Sequence, residues 1–213
     1  MRRSWLSLGL LLALAVPMVP TGEAHACVNT IGRTVEDDVR SLDVAGAHLD
    51  AGEYQDAVKV VLDVYPRAHR RLPDADDGLL TRGQRMLAVA VVRTGGAVRL
   101  GVHLRGKTAK QRRAALAWAT GTLRRIHDER VHDGTVTAEL AEALAFDPAA
   151  RTQALGLLRS LGAEDLMPSA RAWGVLAALE RQTGAVAAAE QAQRRCAAIA
   201  GEPAVCAFNL PAA

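Results

Sequence analysis

"GVHLRGKT" occupies Gly101 to Thr108, and its reading divides two folds. It fits G-x-x-x-x-G-K-[ST], the pattern of a loop that wraps nucleotide phosphates between a parallel strand and a helix. Read that way, the chain is an α/β nucleotide-binding enzyme. Read as a break between helices, it is all-α. A phosphate loop needs a buried strand leading in, and small residues between the glycines so that backbone N–H groups close on the phosphate. Here the residues between are Val102, His103, Leu104 and Arg105, all large. The one weak strand candidate upstream, "LAVAVV" (Leu87 to Val92), lies among residues that favour helix. No alternating strands and helices follow. "ALAFD", ending at Asp147, is the best imitation of an acidic metal-binding strand, and it too sits in helical surroundings. Gly101 and Gly106 are therefore read as helix breaks, with Lys107 opening the next helix.

Composition agrees with the helical reading. Half of the chain is apolar and only 3% is aromatic, so the apolar surface is Ala, Leu and Val. Ala and Leu are strong helix formers. Upstream, "TVEDDVRSLDVAGAHLDAG" begins with Thr34 as N-cap and Asp37 three residues on, and should end near Gly52. "EYQDAVKVVLDVY" places Ala57, Val60, Val61 and Val64 on one helical face. "LPDADDG" is a loop whose acids cap the helix starting near Leu79. "LLTRGQRMLAVAVVRT" is a helix ended by Gly95 and Gly96. Downstream, "AKQRRAALAWATGTLRRIHDER" is amphipathic, with Leu116, Ala119, Leu123 and Ile126 on its apolar side and Gly134 closing it. "TVTAELAEALAF", "PAARTQALGLLRSLG", "PSARAWGVLAALERQTG" and "AVAAAEQAQRRCAAIAG" follow, each bounded by Gly or Pro.

The start of the chain is an address. "MRRSWLSLGLLLALAVPMVPTGEAHAC" has Arg2 and Arg3, an apolar run from Trp5 to Val16, and the small residues Ala24 and Ala26 around a cleavage point. This is the pattern of a secretory signal peptide over residues 1–26. The run is too short for a membrane span, which needs about 20 residues. The mature domain would be residues 27–213, exported to the periplasm or cell envelope. Cys27 would then be its first residue, open to lipidation as in a lipoprotein or to pairing with another thiol. His25 is a poor fit to a lipoprotein signal.

The breaks between helices recur. "GEYQDA" (Gly52 to Ala57) and "GAVAAA" (Gly184 to Ala189) share a G-x-Y-x-x-A-like turn, with Val186 in place of the aromatic. This turn resembles that of tetratricopeptide repeats, in which Gly closes the first helix of a hairpin and the aromatic and Ala pack the second against it. Trp173, 11 residues before Gly184, stands where that family prefers an aromatic. Ala154, 35 residues before Ala189, holds the equivalent small site. The resemblance implies a right-handed array of antiparallel helix hairpins with frames near 38–71, 77–132 (divergent), 135–168 and 170–203. It also implies a non-catalytic scaffold or adaptor that binds a protein. Gly52, Tyr54, Ala57, Ala154, Trp173, Gly184 and Ala189 would be packing positions. The alternatives are a structural envelope component without a discrete partner, and an enzyme using the Gly101–Thr108 segment.

Three cysteines, Cys27, Cys196 and Cys206, leave three pairings open, as well as buried free thiols. In the repeat frame Cys196 falls where a small residue packs inward, and "GEP" (Gly201 to Pro203) offers a turn. The expectation is a Cys196–Cys206 bridge that staples the tail over the exposed end of the array. No cofactor, catalytic or metal site is expected. His127 and His132 are five apart and do not share a helical face, "DADDG" (Asp74 to Gly78) misplaces the glycine of a calcium loop, and no G-x-S-x-G nucleophile motif occurs.

Charge is segregated. Residues 27–81 carry 6 basic and 11 acidic side chains, residues 82–130 carry 12 and 2, and residues 131–213 carry 6 and 9. The basic middle concentrates in Arg105, Lys107, Lys110, Arg112 and Arg113, with Arg124 and Arg125 further along. The bland account is a solvated face. The functional account is a dock for an anionic partner: an acidic protein, an envelope polymer or lipid head groups. Nucleic acid is not expected, because so few aromatics provide no stacking platform.

Overall fold

A computed structural model describes residues 33–73, 77–101 and 106–211. The segment read as a signal peptide, Cys27, Asp74, Asp76 and Arg105 lie outside the described residues. Among the described residues the chain is all-helical: α1 (Val35–Asp50), α2 (Tyr54–Val64), α3 (Gly78–Arg93), α4 (Ala109–Glu129), α5 (Gly134–Ala145), α6 (Arg151–Ala163), α7 (Ala170–Gln182) and α8 (Val186–Ile199). The segment Leu87 to Val92 is the buried heart of α3, not a strand.

Side-chain caps start most of these helices. Thr34 Oγ1 accepts from the Asp37 N–H while the Asp37 carboxylate accepts from the Thr34 N–H, a reciprocal pair that satisfies two donors at the start of α1. Thr108 and Gln111 repeat the device at α4. Asp77, Asp133 and Ser169 cap α3, α5 and α7. Such caps contribute about 1 kcal/mol each. The Asp133 cap corrects one boundary: α4 ends at Glu129, and Gly134 opens α5 rather than closing α4.

Consecutive helices pack together throughout, and α1, α3, α5 and α7 also touch in series. The linkers of α1–α2 and α7–α8 are three residues long, which makes those helices neighbouring antiparallel partners. Both linkers turn on a glycine with positive φ, Gly52 (77°) and Gly184 (79°). A side chain in that conformation is strained.

Leu42, Leu80, Leu87, Leu123, Leu140, Leu144, Leu158 and Leu179 are fully buried and form the core with many alanines. Ala57, Ala154 and Ala189 are buried, while Tyr54 and Trp173 are half-buried against the core or its edge. The Trp173 ring covers Gly162, where a Cβ would stand 3.4 Å from it. Two helix faces are rotated from expectation. In α2, Val58 is buried and Val64 only half so, and in α4, Ala115 takes the inner position ahead of Leu116.

One buried polar residue ties three elements. Gln84 donates from Nε2 to the Ala68 and Arg71 carbonyls, each at 2.7 Å, and its Oε1 accepts from Arg125 Nη2 at 2.7 Å. Both N–H donors and one lone pair of the amide oxygen are used, which is how a buried Gln limits its desolvation penalty.

Cys196 and Cys206 are joined, with Cα atoms 5.8 Å apart. The path beyond the bridge differs from expectation. The tail does not cover the outer face of α8, where Val186 and Ile199 remain 62% and 57% exposed. It runs the other way, across α7. Phe208 meets Phe146 edge-to-face at 5.7 Å, and Pro211 accepts from Arg151 Nη2 at 2.5 Å. The reason is shape: Gly174 leaves a flat place on α7 where the Cys206 backbone seats.

Candidate functional site

The odd-numbered helices enclose a cleft of about 390 Å³. Its floor is apolar: Leu49 from α1, Met86 and Val89 from α3, Ala138 from α5 and Ala172 from α7. Its depth follows from sequence, because Gly46, Ala138 and Ala172 put no bulk where a Leu would fill it. Its walls are charged, and most of the charge is internally paired. Arg85 grips Glu139 with two bonds, Nε to Oε2 at 2.6 Å and Nη2 to Oε1 at 3.0 Å. Arg171 Nε donates to Glu142 Oε1 at 2.5 Å. Arg82 reaches Asp43 at 2.7 Å on the rim.

Two groups in this cleft depart from their ordinary acidity. Burial pushes the Glu139 carboxyl up, and the Arg85 bonds and charge only partly oppose it. Burial also works against the Arg85 cation, yet its bonds to Glu139 outweigh this and hold its pKa above the usual value.

Arg93 is the least tightly held of the cleft cations. Its side chain is 19% exposed, and its Nε is buried without a hydrogen-bond acceptor. The nearest carboxylate oxygen, Glu142 Oε2, is 3.8 Å away, beyond hydrogen-bonding range. Glu142 is already held by Arg171, and Glu139 by Arg85. The sequence reading missed this cleft. The available signal was two carboxylates, Glu139 and Glu142, spaced i, i+3 in an otherwise apolar helix, and the stripe Arg82, Arg85, Met86, Val89, Arg93 along α3.

The basic segment singled out in the sequence is split by the structure. Lys110, Arg113 and Arg124 are exposed and share one face of α4, with Ala117 and Gly121 between them. None has an ion-pair or hydrogen-bond partner among the described residues. This contrasts with the arginines of α3, α6 and α7, where Arg82, Arg85, Arg159 and Arg171 are paired. Arg125 does not belong to the open face: it is held by Glu129 at 3.0 Å and by Gln84. Arg112 lies off it too, its Nη1 reaching 3.5 Å to the Gly106 carbonyl.

The phosphate-loop pattern has a local structural use. The Lys107 and Thr108 N–H groups both point to Gln111 Oε1, at 3.1 and 3.3 Å, so they cap α4. Gly106 has φ 66° and lies against the carbonyls of Gly96 and Ala97. Asp147 accepts from the Ala149 N–H and caps a short turn. Asp133 is likewise spent on capping α5, and His127 meets Asp128 at 3.4 Å. Among the described residues no group of three His, Cys, Asp or Glu is placed to hold a metal ion. No helix there is long and apolar enough to cross a membrane.

No protein-family model, curated protein or solved structure matches the chain.

Proposed function

We propose that this chain is a non-catalytic, exported helical-repeat protein that acts as an interaction scaffold in the cell envelope. In this reading residues 1–26 are a signal peptide, and the mature domain is a right-handed, tetratricopeptide-like array of antiparallel hairpins. Support for the array comes from the two glycine turns at Gly52 and Gly184 and from the serial contact of α1, α3, α5 and α7. The Cys196–Cys206 bridge suits an oxidising compartment. Cys27 is left for a lipid or for an intermolecular bond.

The observation that carries the interaction reading is the open face of α4. Lys110, Arg113 and Arg124 are exposed on one face and have no side-chain partner among the described residues, unlike Arg85, Arg159 and Arg171, which are ion-paired. Ala117 and Gly121 make the surface between them flat, which suits a broad anionic partner: an acidic protein, an envelope polymer or lipid head groups. Such docking is screened by salt, because surface charges lose sight of each other beyond about 8 Å at physiological ionic strength.

The test is a pull-down from envelope extract at low and high salt, with wild type and a Lys110→Glu, Arg113→Glu, Arg124→Glu variant of unchanged helix content. The expected partner is retained only by wild type at low salt. The same proteins in all four samples would move recognition away from α4.

A further inference from the structure

The cleft between the odd-numbered helices is a second feature, separate from α4, and one of its cations, Arg93, is only loosely paired. An arginine carries five N–H donors in a planar fork. Buried polar groups are almost always bonded, and those left without a partner call for an explanation. Arg93 is four-fifths buried with its Nε unbonded. Both interior carboxylates are held by other arginines, Glu139 by Arg85 and Glu142 by Arg171. Arg93, which lines the cleft, thus has no hydrogen-bonded acceptor among the described residues, and its one ion-pair contact is the longer one to Glu142 Oε2.

We propose that this cleft binds a small apolar monocarboxylate, its carboxylate on the guanidinium of Arg93 and its apolar body over Leu49, Met86 and Val89. The observations fix each part of that class. The fork geometry matches a carboxylate, which Arg binds with two parallel bonds. The carboxylates Asp50, Glu139 and Glu142 balance Arg82, Arg85 and Arg93 in the lining, so the cleft has no excess positive charge to favour a dianion such as phosphate. The apolar floor rewards a hydrocarbon body, and Met86 is a side chain that adapts to irregular shapes. The volume lies at the small end of ligand sites, roughly 300–1,000 Å³.

The test is calorimetric titration of the disulfide-bonded protein with octanoate, octylamine and inorganic phosphate. Octanoate binds, and the other two bind at least tenfold more weakly. Arg93→Gln weakens octanoate at least tenfold while the melting temperature without ligand stays within a few degrees of wild type. Arg93→Lys, which keeps the charge but loses the fork, falls between the two and stands in if the Gln variant does not fold. Arg124→Glu on α4 leaves octanoate binding unchanged, so the result is independent of the α4 reading. Absence of octanoate binding, equal binding of phosphate, or full affinity in both Arg93 variants would overturn the proposal.

Discussion

Gly174 on α7 lies directly beneath the backbone of Cys206: a Cβ at residue 174 would stand 3.0 Å from the Cys206 carbonyl oxygen and 3.1 Å from its Cα. Backbone cannot swing aside as a flexible side chain can. Gly174→Ala should therefore lift the tail from α7 and cost about 1–3 kcal/mol by overpacking. Gly121→Ala on α4, where the same Cβ meets nothing within 4 Å, should instead gain up to about 1 kcal/mol from helix propensity. Urea unfolding of both variants checks the pair of signs.

The bridge that holds this tail closes a loop of sequence separation 10. Loop-closure entropy gives such a bond roughly 2–3 kcal/mol. Reduction, or Cys206→Ser, should lower stability by about that amount. It should also free Phe208 from Phe146 and from Arg171, whose guanidinium lies 5.8 Å from its ring. Unfolding with and without reductant measures the first effect. Peptide mapping without reduction shows the crosslink, and two free thiols in exported protein would count against it.

The Arg85–Glu139 pair predicts a pH dependence. Glu139 has a folded pKa raised above its ordinary 4.5 by burial. Folded protein then holds a proton that unfolded protein has released, so this group's contribution is full below about pH 4.5 and falls as pH rises through the raised value. Arg85→Met removes the chief counter-charge. Near neutral pH it should cost about 3 kcal/mol, the low end for breaking a buried pair, because Glu139 keeps slight access to solvent. Near pH 4 a protonated Glu139 no longer needs the cation, and the cost should shrink. Equal costs at both pH values would show that Glu139 does not titrate in this way.

The helices were legible because they rest on local signals. Thr34 with Asp37, and Gly52 and Gly184 at the turns, act within a few residues of themselves. The exact inner face was less so: whether Val58 or Val64, Ala115 or Leu116 is buried depends on where the neighbouring helices lie, which no single helix records. The cleft was illegible for the same reason. Arg85 and Glu139 lie on different helices, and nothing in "LLTRGQRMLAVAVVR" says that Arg85 is bonded and Arg93 is not. Composition marked α4 as basic, but only the fold shows that Arg125 turns in to Gln84 while Arg113 and Arg124 stay in solvent.

The segment that opened the question of fold provides the sharpest contrast between two neighbours. In a phosphate loop, Gly106 and Lys107 would both serve the nucleotide, and replacing the lysine would abolish binding. Here they have unrelated roles. Gly106 has φ 66°, and a Cβ there would run into the Ala97 carbonyl and stand 2.6 Å from that of Gly96. Lys107 is exposed, and among the described residues only its backbone N–H is engaged, by Gln111. Gly106→Ala should therefore destabilise the protein by more than 1 kcal/mol, since an Ala at positive φ adds strain to the clash. Lys107→Ala should stay within about 0.5 kcal/mol of wild type, as surface changes usually do. MgATP should shift the melting temperature of neither wild type nor the lysine variant. A shift of several degrees in wild type that disappears with Lys107→Ala would return the segment to nucleotide binding.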